Sequence, residues 1–314
     1  MKNIKVTLII VLLLSIYTVA AQQDPNFIFY RYNMNLINPA YAGADATENE
    51  GIVEKGLTNN VYKTNTAELG ININSQWTGV SGAPETQSVF FSTGLGEKLG
   101  IGVSIINDKT FIENQTTITA DISYHISLSL NTKLFFGIKA GGNNYSANLE
   151  GLTTFGITSD ASLNNISGRF NPNLGAGFYL RSHKYFVAFS IPNLLTSERL
   201  RQEDGIARLG ESRNHIHLAT GYDIPITKKI IFKPSVLATY VDAAPLNLNL
   251  TGVFRFSNGF ETGLNYALDQ GIGGLVLFTG IDWIDIGYGY EASNQNQIQE
   301  VANGTHEVFM RFKI

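Results

Sequence analysis

From Thr117 to Leu130 the chain alternates without a break. Ile118, Ala120, Ile122, Tyr124, Ile126, Leu128 and Leu130 fall on one parity, and Thr117, Thr119, Asp121, Ser123, His125, Ser127 and Ser129 on the other. Successive side chains of a β-strand point to opposite faces, so this stretch predicts a strand with one apolar and one polar side. The pattern returns where Leu246, Leu248 and Leu250 oppose Asn247, Asn249 and Thr251, and where Ile284, Ile286, Tyr288 and Tyr290 oppose Asp285, Gly287, Gly289 and Glu291. At the C-terminus Val308, Met310, Phe312 and Ile314 alternate with Glu307, Arg311 and Lys313, and Phe309 is the one departure.

Along the whole chain the alternation predicts about fourteen strands, at 66–77, 86–94, 98–107, 115–129, 132–142, 170–181, 184–191, 213–223, 229–242, 246–256, 259–268, 271–281, 283–292 and 305–314. Most are near the roughly 9–11 residues that a tilted strand needs to cross a bilayer, and single-chain bacterial barrels have even strand numbers. Connections after even-numbered strands are short, at 95–97, 130–131, 182–183, 223–228, 257–258 and 282. Those after odd-numbered strands include 78–85, 108–114, 142–169, 192–213 and 293–304. A membrane barrel sorts its loops in this way, with tight periplasmic turns and long outer loops, whereas a soluble sandwich has no reason to. A soluble up-and-down barrel would turn the apolar face inward, but a cylinder this wide cannot be filled by wall side chains alone. The expected fold is therefore all-β, a transmembrane antiparallel barrel over residues 66–314 with its polar face lining the lumen. Tyr124, Tyr222, Tyr240, Phe260, Tyr266, Tyr288 and Tyr290 are candidates for interfacial aromatic girdles. Pro234 lies inside a predicted strand and removes a ladder hydrogen bond, so a bulge or local kink is expected there.

Lys2 and Lys5 precede an apolar run from Val6 to Ala21, and the small residues Ala20 and Ala21 lead into Gln22-Gln23-Asp24-Pro25. This reads as a signal peptide over 1–21 with cleavage near Gln22. The chain has no cysteine, which excludes disulfides, a thiolate nucleophile and a lipid on an N-terminal cysteine. Its charged fraction, 15%, is well under the roughly 25% of soluble domains, as expected when half the surface faces lipid. A net charge of −4 gives no reason to expect nucleic acid as a partner.

Two segments carry a resemblance. The first, Phe27 to Gly43, contains Asn38-Pro39-Ala40-Tyr41-Ala42-Gly43; the second, Gln76 to Gln87, contains Gln76-Trp77, Gly79, Gly82-Ala83-Pro84 and Thr86. With the glycine-rich strand at Leu99 to Val103, Lys233-Pro234-Ser235 and a closing strand beginning His306-Glu307, the chain resembles the PorP/SprF family of type IX secretion-system outer-membrane proteins of the Bacteroidetes. The resemblance covers essentially all residues after the leader. It implies a non-enzymatic role in export or surface retention of a partner carrying a type IX C-terminal signal, often a large adhesin used in attachment or gliding. It also implies contact with periplasmic components of that machine.

Residues 22–65 are expected to form a periplasmic or plug segment. Asn38-Pro39 breaks local structure, and Tyr41 and Gly43 complete a compact motif with small neighbours; Arg31, Asn33 and Asn35 are placed to meet the polar wall. Trp77, Gly79, Gly82 and Pro84 predict a rigid, turn-rich outer loop with an aromatic anchor, either a partner contact or an interfacial foot. Arg199, Arg201 and Arg208, in the densest run of mixed charge, predict a solvated outer loop and a candidate docking surface. His215 and His217 share a strand face at a spacing that suits two metal ligands, but no third ligand is close in sequence, and lumenal polar residues are the simpler account. Ser123 and His125 are the best nucleophile and base candidates for a hydrolase, yet no Gly-x-Ser-x-Gly occurs. No cofactor is expected. The runner-up to an interaction protein is a channel or transporter for small or hydrophobic molecules.

Overall fold

The computed structural model describes residues 27–45, 67–148, 166–195, 197–198, 211–242, 244–268, 270–293 and 302–314. The expected leader over 1–21 lies outside these residues. The strands are β1 (Ala67–Ser75), β2 (Glu85–Leu95), β3 (Leu99–Thr110), β4 (Glu113–Ser129), β5 (Thr132–Ala147), β6 (Ile166–Ser182) and β7 (Tyr185–Ile191). They continue with β10 (His215–Tyr222), β11 (Ile224–Thr227), β12 (Ile230–Val241), β13 (Asn247–Phe256), β14 (Phe260–Ala267), β15 (Gly271–Ile281), β16 (Ile284–Ser293) and β17 (Thr305–Lys313). Two two-residue strands, β8 (Ser197–Glu198) and β9 (Glu211–Ser212), pair with each other outside the wall, in the connection between β7 and β10.

Sequential neighbours pair antiparallel all the way round, and β1 meets β17 from Glu68↔Lys313 to Ser75↔His306, which closes the sheet. β10 and β11 both pair with β12 and are separated only by Asp223, so the fifteen strands of the sheet occupy fourteen wall positions. Closure satisfies the backbone within the wall and leaves no edge inside the bilayer.

The inside-out polarity read from the sequence is realised in β4. Ile118, Ile122 and Ile126 are 55%, 53% and 43% exposed, while Asp121, Ser123 and His125 on the other parity are 2%, 2% and 4% exposed. The same inversion sets outward Val103 and Ile105 against buried Ser104, and outward Leu250 against buried Asn249 and Thr251. Apolar side chains thus form the lipid-facing belt and polar ones turn inward.

Four details depart from expectation. The loop predicted at 108–114 is a tight hairpin, because β3 and β4 run on to Thr110 and Glu113 and leave only Phe111-Ile112 between them. Those extensions are polar on both parities, so they carry no hydrophobic signal; Asn107 Nδ2 donates instead to Asn114 Oδ1 at 2.9 Å and to Thr116 Oγ1 at 2.8 Å. β5 and β6 likewise extend to Ala147 and from Ile166, so this side of the wall is taller than predicted. At the opposite end, residues 224–227 are strand rather than turn. Ile224 and Ile226 continue the outward parity of Tyr222, and the turn shrinks to Lys228-Lys229. The expected bulge at Pro234 is absent from the β13 side, where Lys233↔Val253, Pro234↔Gly252 and Ser235↔Thr251 stay in register. The gap falls on the other neighbour, whose pairing stops at Gly221↔Ser235 and resumes at Ile224↔Phe232.

A charge on the outer belt should cost far more than one on the inner face near a turn. Ile122→Arg is expected to destabilise the barrel by about 2–4 kcal/mol, and Ser127→Arg by less than about 1 kcal/mol. Urea titration of the folded, heat-modifiable species in lipid vesicles measures both.

Candidate functional site

A barrel of this strand number encloses more space than its own inward side chains fill. The chain fills it with residues 27–45, nearly all of which are buried against the inner wall. The segment is made of tight turns. α1 (Met34–Ile37) is a single helical turn, and Pro39–Tyr41 form a 3-10 turn directly after it. Asn38 joins the two in an extended conformation, as a residue before proline must be. Its side-chain oxygen accepts the Ala40 N–H at 2.9 Å, and its amide donates to the Phe178 carbonyl of β6 at 3.0 Å. The Asn38-Pro39 motif therefore sets the turn and fixes it to the wall with the same side chain.

Buried backbone groups of such an irregular segment need partners, and the wall supplies them. Glu307 of β17 accepts the N–H groups of Ile28 at 2.6 Å and Phe29 at 3.4 Å, and also the Asn72 amide at 2.6 Å. Ser190 Oγ donates to the Ile37 carbonyl at 2.8 Å, Ser123 Oγ donates to the Ala42 carbonyl at 2.6 Å, and the Gly43 N–H donates to Ser92 Oγ at 2.6 Å.

Charged groups clamp the segment along its length. The Tyr32 hydroxyl donates to Glu261, and Lys233 Nζ donates to the Tyr32 oxygen at 3.1 Å and to Glu261 Oε2 at 2.9 Å. Arg31 pairs with Asp223, and the Asn35 amide donates to Glu68 at 2.8 Å. Asn33 is buried but makes no side-chain hydrogen bond among the described residues, so of the three expected wall contacts two form. At the end of the segment Asp45 is held by Arg181 of β6 and by Arg311 of β17 at 3.2 Å. Arg311 also bonds Asp285 at 2.7 Å. Burial by itself would raise the Asp45 carboxyl, but the two guanidiniums outweigh it and hold the group below the usual carboxylate range. Tyr30, whose hydroxyl donates to Ser235 Oγ at 2.9 Å, is pushed up to about 12 by burial and stays protonated.

Two apolar patches on the inner wall receive the segment's hydrophobic side chains. Tyr30, Met34, Leu36 and Tyr41 pack against Phe90, Phe135, Tyr179 and Phe186; Ile28, Phe29 and Tyr32 pack against Val253, Leu275, Leu277 and Phe309. The rings of Phe29 and Phe309 stack at 5.5 Å, and those of Tyr41 and Tyr179 meet at 5.0 Å. The sequence held a signal for these patches. Phe90-Phe91, Phe135-Phe136, the run Leu275 to Phe278, and Phe309 each put an apolar residue on the inward parity, which a water-lined wall has no reason to carry.

Close approach does the rest. A Cβ on Gly137 would lie 2.2 Å from the Ala40 nitrogen, and one on Gly100 would lie 2.0 Å from the Ala42 oxygen, so the wall is hollowed where the motif backbone leans on it.

The outer-loop motif is stitched to both neighbours. The Gln76 N–H bonds the Pro84 carbonyl at 2.9 Å, the Thr78 N–H bonds the Gly304 carbonyl beside β17 at 2.9 Å, and the Phe111 N–H of the β3–β4 turn bonds the Gly82 carbonyl at 2.8 Å. Gly79 and Gly82 have positive φ, and Trp77 and Phe111 share that left-handed conformation at φ 46° and 54°. Trp77 is half-buried, whereas Val80 and Phe111 are exposed at the rim. Arg199, Arg201 and Arg208 lie outside the described residues.

His215 and His217 stack at 6.3 Å, with ring nitrogens bonded to Asn193 and Thr239, and no group of three or more potential metal ligands occurs among the described residues. Ser123 is engaged with Ala42, and His125 packs on Phe135 at 5.0 Å.

Two outcomes follow for the segment. Gly137→Leu should expel residues 39–40 from the wall, converting a barrel of very low conductance in planar bilayers into one with sustained ion current and exposing 27–45 to protease. The Asp45 clamp, having a depressed carboxyl pKa, stabilises the segment above the unfolded aspartate value and loses that contribution as pH falls through the folded value. The Asp45 contribution to protease protection of 27–45 should therefore be lost below about pH 4, and Asp45→Asn should remove that acid step.

A model of the type IX secretion system membrane protein PorP/SprF matches residues 61–312 of the chain. No curated protein matches it. Among solved structures, the outer membrane protein Omp33 of Acinetobacter baumannii is 8% identical with a TM-score of 0.46, over 83% of this chain and 100% of that chain. The CymD monoaromatic hydrocarbon channel is 12% identical with a TM-score of 0.43, over 78% and 86%. The NanC porin is 9% identical with a TM-score of 0.39, over 78% and 100%. The family match takes in nearly the whole barrel; the protein's place is the bacterial outer membrane, and the chain belongs to the PorP/SprF family of type IX secretion system membrane proteins.

Proposed function

We propose that this protein is a non-enzymatic outer-membrane adaptor of type IX secretion, which supports export or surface retention of one partner protein bearing a type IX C-terminal signal, such as an adhesin. The observation that carries the reading is the use to which the inner wall is put. Glu307, Lys233, Glu261, Ser123, Ser190 and Arg311, the inward groups that would otherwise line a pore or build a reaction centre, are engaged in holding residues 27–45 or the salt bridges around them. An occupied lumen leaves the outer rim for the exported partner, with the Trp77 to Pro84 loop and the loop carrying Arg199, Arg201 and Arg208 as docking surfaces. It leaves the end with the tight turns for periplasmic components of the machine. Residues 22–65 act as the plug and 66–314 as the barrel.

Deletion of the protein should remove one surface protein from the cell exterior while small-solute uptake stays unchanged, as read by surface proteomics and uptake assays. Unchanged surface protein with reduced uptake would instead identify a channel. Trp77→Ala together with Arg199→Ala, Arg201→Ala and Arg208→Ala should keep the barrel in the membrane and lower surface display of that partner at least fivefold.

A further inference from the structure

A side chain that strains its own backbone and is then left in water has no reason within the fold to be there. Phe111, in the β3–β4 turn, is such a residue. It holds φ 54°, the left-handed region that a Cβ disfavours, and its side chain is 62% exposed. Trp77 shares the conformation at φ 46°, but is half-buried. The turn does not require a phenyl ring. The Phe111 N–H donates to the Gly82 carbonyl at 2.8 Å, and the Ile112 carbonyl accepts the Asn148 N–H at 3.0 Å. Glycine at 111 would form the same backbone bonds without the steric cost. One edge of the ring lies over Gly82, where an added Cβ would come within 2.9 Å of Phe111 Cδ2, and the remainder stands open.

Lipid does not cover the ring. On β3 the last apolar residue of the outward parity is Ile105, after which come Asn107 and Lys109; on β4 it is Ile118, with Thr116 and Asn114 beyond it. Phe111 lies six residues past Ile105. That is about 20 Å along a strand, or about 15 Å of height at a tilt of about 40°. The polar zone on one side of a bilayer is only about 5–7 Å deep, so the ring stands clear of it.

The turn is also held still. Its bond to Gly82 joins it to the 76–84 loop, and that loop is joined in turn to the approach to β17, where the Thr78 N–H bonds the Gly304 carbonyl at 2.9 Å and the Asn303 N–H bonds the Thr78 carbonyl at 2.7 Å. Three outer connections thus form one ledge, on which Val80 and Phe111 are exposed apolar side chains. A ring already fixed in place loses little freedom on contact, which is what makes an aromatic residue an anchor at a protein interface. Val80 beside it matches apolar side chains of a protein and has no group to offer a sugar. We infer that Phe111 is the anchor for the exported partner, seated in an apolar pocket of that protein with Val80 as its neighbour. The inference rests on the adaptor reading above and is continuous with the Trp77 to Pro84 docking surface, to which it adds a residue of the β3–β4 turn and the chemistry of the contact.

The test is quantitative surface proteomics of cells carrying the full chain with Phe111→Gly or Phe111→Tyr, beside native and deletion strains, with urea titration of each purified barrel in lipid vesicles. Phe111→Gly relieves the left-handed strain and keeps the backbone bonds, so its barrel should resist urea at least as well as the native one. Display of the surface protein lost on deletion should nevertheless fall at least fivefold. Phe111→Tyr, which keeps the ring, should hold display within twofold. Native display in Phe111→Gly, where deletion does remove a surface protein, would overturn the anchor and leave the adaptor reading standing; if lipopolysaccharide then no longer co-purifies with the barrel, the ring belongs to a sugar. A Phe111→Gly barrel that unfolds at lower urea would assign the ring to the fold and overturn the anchor as well, as would equal loss of display in Phe111→Tyr. A deletion that removes no surface protein would overturn both readings.

Discussion

The structure depends on one geometric constraint: fourteen strands enclose a cylinder that side chains from the wall cannot fill, so water or another part of the chain must occupy the rest of the interior. The chain resolves this by turning its own residues 27–45 into the missing interior. Because those residues are turns rather than helix or sheet, their backbone groups must bond to the wall. Glu307 is the clearest consequence, a buried carboxylate whose protein partners are two segment N–H groups and the Asn72 amide. Each such hydrogen bond to a buried group is worth roughly 0.5–1.5 kcal/mol net, and leaving the segment N–H groups unpaired would cost more.

The clamps also divide the work around the circumference. One apolar patch draws on β2, β5, β6, β7, β10 and β12, the other on β13, β15 and β17, and the segment runs between them. Asp45 ends it by joining Arg181 to Arg311, which stand on non-adjacent strands. Buried ion pairs of this sort are weak evidence for stability, since desolvation offsets much of their attraction. Their value here is position: the Tyr32, Glu261 and Lys233 set can be satisfied together in few arrangements, so the segment has one seat.

The family is one of type IX secretion system membrane proteins, and three parts of this barrel differ in character. The lumen is occupied, the taller wall of β4 to β6 carries polar residues on both parities at its outer end, and the Trp77 loop is sewn between β17 and the β3–β4 turn. Left-handed Trp77 and Phe111 cost conformational energy of order 1–3 kcal/mol each, which the three backbone bonds of that loop must offset.

Much of this was legible without coordinates. Alternation identified the wall, its polarity, its strand number and the side on which turns are tight, because in lipid one face of every strand must be apolar and the backbone must close on itself. The turn-forming Asn38-Pro39 and its small neighbours, not the alternation, suggested a segment lying against the polar wall, where Asn38, Arg31 and Asn35 make contacts. Alternation missed the outer extensions at 108–114, 143–147 and 166–169, since above the membrane neither face is required to be apolar and the period vanishes. It marked Phe309 as a departure and did not single out Phe90, Phe135 and Leu277, which pack with it or beside it against residues 27–45. Which inward residue meets which plug residue, the Glu307 bonds to Ile28 and Phe29 or the span of Asp45 between Arg181 and Arg311, was decided only by the tertiary structure. Period specifies the face a side chain takes; contacts between residues hundreds of positions apart depend on how the closed barrel brings its strands around a common centre.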